Sequence, residues 1–267
     1  MDRDDYVEAN REAWNRVAPH HKAHAQYDAL VKGFATPGFS CLDETATALL
    51  TEIGVAGRDV AQVCCNNARE LLSVKGLGAA RCVGFDISTA FLRQAKELAK
   101  IAGQNCEFVE TDVYAIPKRF DGAFDVVFTT VGVFSWMPDL TGFFSAVRRL
   151  LRPGGRYFAY EQHPMLDMFE FDETGAPARL AHSYFRREAD RAAEGLDYYG
   201  NADYDAPVNY WFRRPLSDVV NACIAAGFTL EKLAEYPHNI SDEAYDVYED
   251  RTAQLPLSYS LIARNAA

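Results

Sequence analysis

Between residues 59 and 162 the apolar positions alternate between two periods. Short, nearly continuous apolar runs recur at "DVAQV" (59–63), "RCVGF" (81–85), "CEFVE" (106–110), "FDVVFTT" (124–130) and "RYFAYEQ" (156–162). Runs of this length read as strands buried on both faces. Stretches of helical period lie between them. "ARELLSVKGLG" follows the first strand, and "STAFLRQAKELAKIAG" sets Phe91, Leu92, Ala95, Leu98 and Ala99 on one stripe, with Ser88 as its cap and Gly103 as its stop. A helix from Pro138 buries Leu140, Phe143, Phe144, Val147, Leu150 and Leu151, after which "RPGG" turns the chain into the fifth strand. Strands bounded by helices predict a parallel sheet covered on both faces.

The flanks follow other patterns. Residues 5–33 predict helix, divided at Pro19, and residues 41–53 predict another that ends at Gly54. After residue 163 the rhythm stops: residues 164–213 show no clean period and carry ten aromatic side chains. "RPLSDVVNACIAAGF" then predicts a helix from Ser217 to Gly227. "TLEKLAEY" and "LSYSLIAR" follow as strands joined without a helix, which can pair antiparallel.

The chain has 267 residues, 49% of them hydrophobic, enough for one large α/β domain with additions. Its net charge of −11 is spread along the chain, with no basic stripe for a nucleic acid. The cysteines at 41, 64, 65, 82, 106 and 223 have no CxxC spacing, so no metal site is expected. The acidic start "MDRDDYVEAN" has no apolar core of a signal peptide, and no apolar run reaches the ~20 residues of a membrane span. A cytoplasmic protein is therefore expected.

In a parallel sheet, ligands bind beyond the carboxyl ends of the strands. The first strand ends in Cys64, Cys65, Asn66, Asn67 and Ala68, where a cofactor loop usually carries glycines. Asn tolerates a left-handed backbone, so Asn66 and Asn67 can make this turn. The second strand ends in Asp86, placed to accept from ribose hydroxyls; a helix N-terminal carboxylate is the plainer reading. The third is followed by Asp112, where a carboxylate can accept from an adenine amino group.

These strand ends resemble the class I S-adenosylmethionine-dependent methyltransferases. The resemblance covers about residues 55–163 and rests on "VGFDIS", "FVETDVYAIP", "FDVVFTTVGVFSWMPDL" and "LLRPGGRYFAYEQHP", in that order. It implies a Rossmann-like seven-stranded sheet of order 3-2-1-4-5-7-6, mostly parallel with an antiparallel last strand, and helices on both faces. It divides the chain into an N-terminal helical lid (1–54), a cofactor-binding core (55–163), an aromatic-rich cap for substrate (164–213) and a C-terminal helix and hairpin completing the core (214–267). By resemblance, Asp86 holds the ribose hydroxyls, Ile87 packs on the adenine, Asp112 and the Val113 amide bind the adenine edge, and Thr129 and Thr130 line the methionine end. The family's first motif is an acid followed by GxGxG. Here Gln62 replaces the acid and Cys64, Asn66 and Ala68 replace the glycines, with Glu70 as a substitute partner for the cofactor's amino group.

Methyl transfer needs an aligned nucleophile, exclusion of water and loss of a proton. His163, just after the fifth strand, is the candidate base; a structural His before Pro164 is the alternative. Trp14 is a lid candidate on the cofactor. Trp136, Tyr199, Tyr210 and Trp211 are candidates for an aromatic acceptor wall, with core packing as the alternative. The expected function is methyl transfer from S-adenosylmethionine to a small organic acceptor, without nucleic-acid or membrane partners; a homodimer stays open. Catechols, heteroaromatic nitrogens, amines and carboxylates stay open as acceptors. The alternatives are a non-catalytic module that binds the nucleoside or a metabolite, and a nicotinamide-dependent oxidoreductase, against which the missing GxGxxG counts.

Overall fold

Five parallel strands follow the predicted runs: β1 (Asp59–Val63), β2 (Arg81–Asp86), β3 (Glu107–Glu110), β4 (Phe124–Thr130) and β5 (Leu151–Gln162). The computed structural model describes residues 1–172, 177–200, 202–242 and 244–266. The aromatic-rich segment forms two small antiparallel pairs, β6 (Phe169–Phe171) with β7 (Pro177–Leu180) and β8 (Ala189–Ala192) with β9 (Asn209–Phe212). The last strands, β10 (Phe228–Tyr236) and β11 (Ser258–Asn265), pair antiparallel, and β11 joins β5 antiparallel. The sheet order is β3-β2-β1-β4-β5-β11-β10. Numbered within the sheet alone, this is the expected 3-2-1-4-5-7-6.

Helices cover both faces because successive strand residues point to opposite sides. On one face Ala61, Val127, Tyr157 and Leu261 meet Phe143, Phe144 and Val147 of α6 (Leu140–Leu150) and Val219 and Cys223 of α7 (Leu216–Ala225). On the other, Val60, Phe128, Phe158 and Ile262 meet Leu49 and Leu50 of α3 (Glu44–Ile53), Leu71 and Val74 of α4 (Arg69–Gly76), and Leu92 and Ala95 of α5 (Thr89–Ile101). Ser88 caps α5 as expected: its Oγ accepts from the Phe91 N–H at 3.2 Å.

Four boundaries differ from the sequence reading. Pro19 lies inside α1 (Arg3–Ala23), and the break comes at His24, whose side chain caps α2 (Ala25–Phe34). The sixth helix is capped by Asp139 and starts at Leu140 rather than Pro138. α7 starts at Leu216, with no side-chain cap. β5 starts at Leu151, and "RPGG" is an irregularity within the strand, where the pairing with β4 skips from Leu151 to Arg156.

Helix α1 lies at the carboxyl edge of the sheet. Asn15 Oδ1 accepts from Ser88 Oγ at 2.9 Å and from the Ala90 N–H at 3.0 Å, tying α1 to the start of α5. Asn10 clasps the backbone of Tyr210, donating to its carbonyl and accepting from its N–H, both at 2.8 Å. One helix therefore bridges the core and the aromatic-rich segment.

Candidate active site

A crevice of about 990 Å³ opens at the carboxyl ends of the parallel strands. Single-ligand pockets run to roughly 300–1,000 Å³, so this one lies at the top of that range. The loop after β1 forms one wall. Cys64, Asn66 and Ala68 all have left-handed φ, at 55°, 50° and 59°. These are the three positions where the family motif has glycine, and all three take the left-handed conformation that glycine adopts most easily. Each such L-residue costs roughly 1–2 kcal/mol. Local bonds offset this: Cys65 N–H to Phe85 O at 3.0 Å, Ala68 N–H to Cys65 O at 2.7 Å, and Asn67 N–H to Asn66 Oδ1 at 2.7 Å. Cys65 is buried against Gly84 of β2, where a Cβ would sit 2.8 Å from its sulfur.

Asp86 stands opposite this loop. Its Oδ2 accepts from Asn66 N–H at 2.7 Å and its Oδ1 from Ser88 N–H at 2.8 Å. Burial pushes its pKa up to about 6, against the pull of those amides. Asp112 Oδ1 accepts from Tyr114 N–H at 3.0 Å, and burial raises this carboxyl too. Ile87 and Val113 border the crevice beside the two acids. Gln62, buried at the end of β1, donates from Nε2 to Thr130 Oγ1 at 3.2 Å, while its Oε1 has no partner among the described residues. Glu70 also faces the crevice, with its carboxylate held by Arg69 Nε at 2.6 Å.

The rest of the crevice is aromatic. Trp14 of α1 meets Trp136 edge-to-face at 5.0 Å, and both border it with Tyr199 and Trp211. Arg69 Nη1 donates to the Tyr199 hydroxyl at 2.8 Å, joining the aromatic-rich segment to the first turn of α4.

Three expected residues stand elsewhere. His163 is buried beside Tyr259 and does not border the crevice. Its Nε2 faces Glu235 Oε1 at 3.0 Å and its Nδ1 accepts from Met165 N–H at 3.2 Å, so both ring nitrogens are engaged. Burial lowers its pKa, partly countered by Glu235. Thr129 is buried and bonded to the Tyr157 hydroxyl at 2.6 Å. Tyr210 points the other way along β9, edge-on to Tyr6 of α1 at 5.2 Å.

Glu161 and Asn209 are among the residues that the sequence reading passed over and that border the crevice. Glu161, 3% exposed at the end of β5, accepts from the N–H groups of Gly132 and Val133. Its pKa is pushed up to about 8, because burial outweighs those two bonds. Its signal was its place in "EQHP", at the carboxyl end of the fifth strand. Asn209, fully buried on β9, also borders the crevice. No sequence signal marked it. Among the described residues no group of three or more His, Cys, Asp or Glu is placed to hold a metal ion, and no helix is long and apolar enough to cross a membrane.

A family model described as "Methyltransferase domain" matches residues 60–155, the strand-and-loop unit that builds the crevice. The chain carries a class I S-adenosylmethionine-dependent methyltransferase domain. Its cofactor is S-adenosylmethionine. The domain is similar to the methyltransferase phqN of Penicillium fellutanum, with 30% identity over 110 residues, 39% of this chain and 32% of that protein. The chain spans about a third to just over half the length of the curated relatives it matches, 32% and 56%. The methyltransferase fold is shared with an S-adenosylmethionine-dependent methyltransferase from Mesorhizobium loti, at TM-score 0.59 and 18% identity, over 81% of this chain and 96% of that one. It is also shared with the Burkholderia thailandensis 1,6-didemethyltoxoflavin-N1-methyltransferase, at TM-score 0.58 and 15% identity, over 100% of this chain and 92% of that one. The residues of the methyltransferase domain suit the cofactor. Asp86 and Asp112 offer carboxylate oxygens to hydroxyl and amino donors, and the unpartnered Gln62 Oε1 suits an ammonium group.

Proposed function

We propose that this protein transfers a methyl group from S-adenosylmethionine to a small organic acceptor. The observation that carries this reading is the meeting, in one crevice, of the Asp86 and Asp112 carboxylates, the left-handed loop 64–68 and an aromatic chamber. When bound, the cofactor supplies a methyl group on a positively charged sulfur. Asp86 accepts from the ribose hydroxyls, with Ile87 against the adenine. Asp112 and the Val113 amide take the adenine edge. Gln62 Oε1 replaces the missing acid as partner for the ammonium group, with Thr130 holding its amide; Glu70 is the second partner. Cys64, Cys65, Asn66 and Asn67 line the path of the methionine chain.

The N-terminal helices (1–54) act as a lid, with Trp14 on the cofactor, and residues 164–213 act as a cap over the acceptor. Trp136, Tyr199 and Trp211 form its wall, while residues 214–267 complete the core. The acceptor is small and planar because aromatic side chains and a bounded chamber favour a flat ring. The Burkholderia thailandensis enzyme, whose fold matches along the whole chain, holds 1,6-didemethyltoxoflavin and S-adenosylhomocysteine together. Positioning between these walls can contribute up to ~7–11 kcal/mol to the rate. Glu161 holds or takes the acceptor's proton, while His163, whose ring nitrogens are engaged away from the crevice, serves as a structural residue. The protein acts in a reducing compartment such as the cytoplasm, which suits its free cysteines.

Calorimetry with S-adenosylhomocysteine, followed by turnover on a panel of catechols, heteroaromatics and amines, tests the reading. One-to-one binding with methylation of a panel member supports it. Binding without turnover across the panel favours the non-catalytic module, and no binding at all removes both.

A further inference from the structure

Two asparagines meet at β9, and they differ in one respect. Asn10 has both ends of its amide satisfied by the backbone of Tyr210. Asn209, one residue earlier in the chain and 0% exposed, has neither its Nδ2 nor its Oδ1 partnered among the described residues. A buried polar group without a partner is expensive, and natural structures retain few of them. Here both ends of one carboxamide are bare, and the residue borders the crevice. Residues i and i+2 of a strand share a face, so Asn209 and Trp211 look the same way, about 7 Å apart. Tyr210 and Phe212 look the other way, onto Tyr6. Trp211 is half-buried and borders the crevice, with the Arg213 guanidinium 4.6 Å from its ring.

The geometry points to Asn209 as the group that reads the acceptor: a neutral planar ring carrying an N–H beside a C=O, a lactam edge, with its face against Trp211. A primary carboxamide offers one acceptor and one donor side by side in a plane. The matching edge offers a donor beside an acceptor, and pairing satisfies both bare atoms at once. The roughly 7 Å between Asn209 and Trp211 is about the span of a two-ring system. A carboxylate acceptor has no donor for Oδ1. A catechol can offer one hydroxyl as donor and the other as acceptor, but a phenolic oxygen is a weaker acceptor for Nδ2 than a lactam carbonyl. This inference rests on the methyltransferase reading for the term "acceptor", but the recognition itself is a binding property.

The test is calorimetry of 2-quinolone and of 1-methyl-2-quinolone, in which the N–H is blocked, with saturating S-adenosylhomocysteine and without it. The wild-type protein is expected to bind 2-quinolone at least tenfold more tightly than the methylated probe. In Asn209→Leu that discrimination is expected to vanish. The same variant is expected to melt at the wild-type temperature or above, because a bare buried amide has been replaced by an apolar side chain; a merely structural asparagine would give a lower melting temperature. Equal affinity of the two probes for the wild type, no binding of 2-quinolone, or unchanged affinity in Asn209→Leu overturns the proposal. The titration with S-adenosylhomocysteine alone separates the two failures. If it shows no binding while the quinolones still discriminate, the methyltransferase reading fails and the lactam site stands.

Discussion

The Asp86 carboxylate accepts the backbone N–H of Asn66 at 2.7 Å, so the acid after β2 fixes the loop after β1. One side chain thus holds the left-handed turn and leaves its remaining lone pairs for a ligand's hydroxyls. The raised pKa of about 6 sets a pH dependence. Hydroxyl donors favour the ionised form, so affinity for S-adenosylhomocysteine is expected to be flat above pH 7. It is expected to fall by up to about tenfold per pH unit below about 6. Calorimetry from pH 5 to pH 8 measures this; affinity independent of pH would remove Asp86 from the ribose role.

The left-handed residues make a second prediction. Ala68 is fully buried at φ 59°. Ala68→Gly relieves backbone strain but loses a buried methyl, and the two effects nearly cancel, leaving a change within about 1 kcal/mol. Ala68→Val adds a β-branched side chain to a strained backbone in a filled core and should cost about 3 kcal/mol. Urea denaturation of both variants checks the contrast. Equal losses would mean that the strain is not felt.

Glu161 gives a prediction about stability. Its folded pKa of about 8 lies above the ordinary 4.5. The folded state therefore holds the proton more tightly than the unfolded chain. That contribution is fully present below pH 4.5 and is lost as pH rises through about 8. Glu161→Gln removes the group, so its stability relative to wild type should grow by a few kcal/mol between pH 5 and pH 9. Thermal melts at those two pH values test it. Parallel curves would mean that the carboxyl is not held neutral.

His163 should behave as a structural residue. Its ring bridges Glu235 and the Met165 N–H. His163→Ala is expected to lower stability by roughly 1–3 kcal/mol through the lost bonds, with donor-product affinity unchanged. A marked loss of affinity without loss of stability would return it to the crevice.

Much of this was legible in the chain. The alternation of apolar runs and helical stripes predicted the parallel strands and their helices, the sheet order came only from the family resemblance, and strand ends placed Asp86 and Asp112 where the crevice lies. The glycine-poor motif was harder to interpret. Backbone angles rather than side chains define that turn, and only coordinates reveal that Cys64, Asn66 and Ala68 are left-handed. His163 as candidate base followed residue chemistry, since histidine is the usual base near neutral pH, and a structural His before Pro164 was its alternative. The structure places the imidazole outside the crevice lining, against Glu235 and the Met165 N–H, while burial lifts Glu161 into the same pH range. Asn209 left no trace in the sequence. Its meaning comes from partners it lacks, and missing partners have no periodicity.

The central claim is that a glycine-free loop and two strand-end carboxylates hold one adenosine-bearing cofactor. Calorimetry of the wild-type protein, Asp86→Ala and Asp112→Ala with S-adenosylhomocysteine at pH 7.5 tests it most directly. A single site is expected in the wild type, weakened at least tenfold by either substitution. A wild-type protein that gives no binding heat, or variants that bind as tightly as the parent, would contradict it.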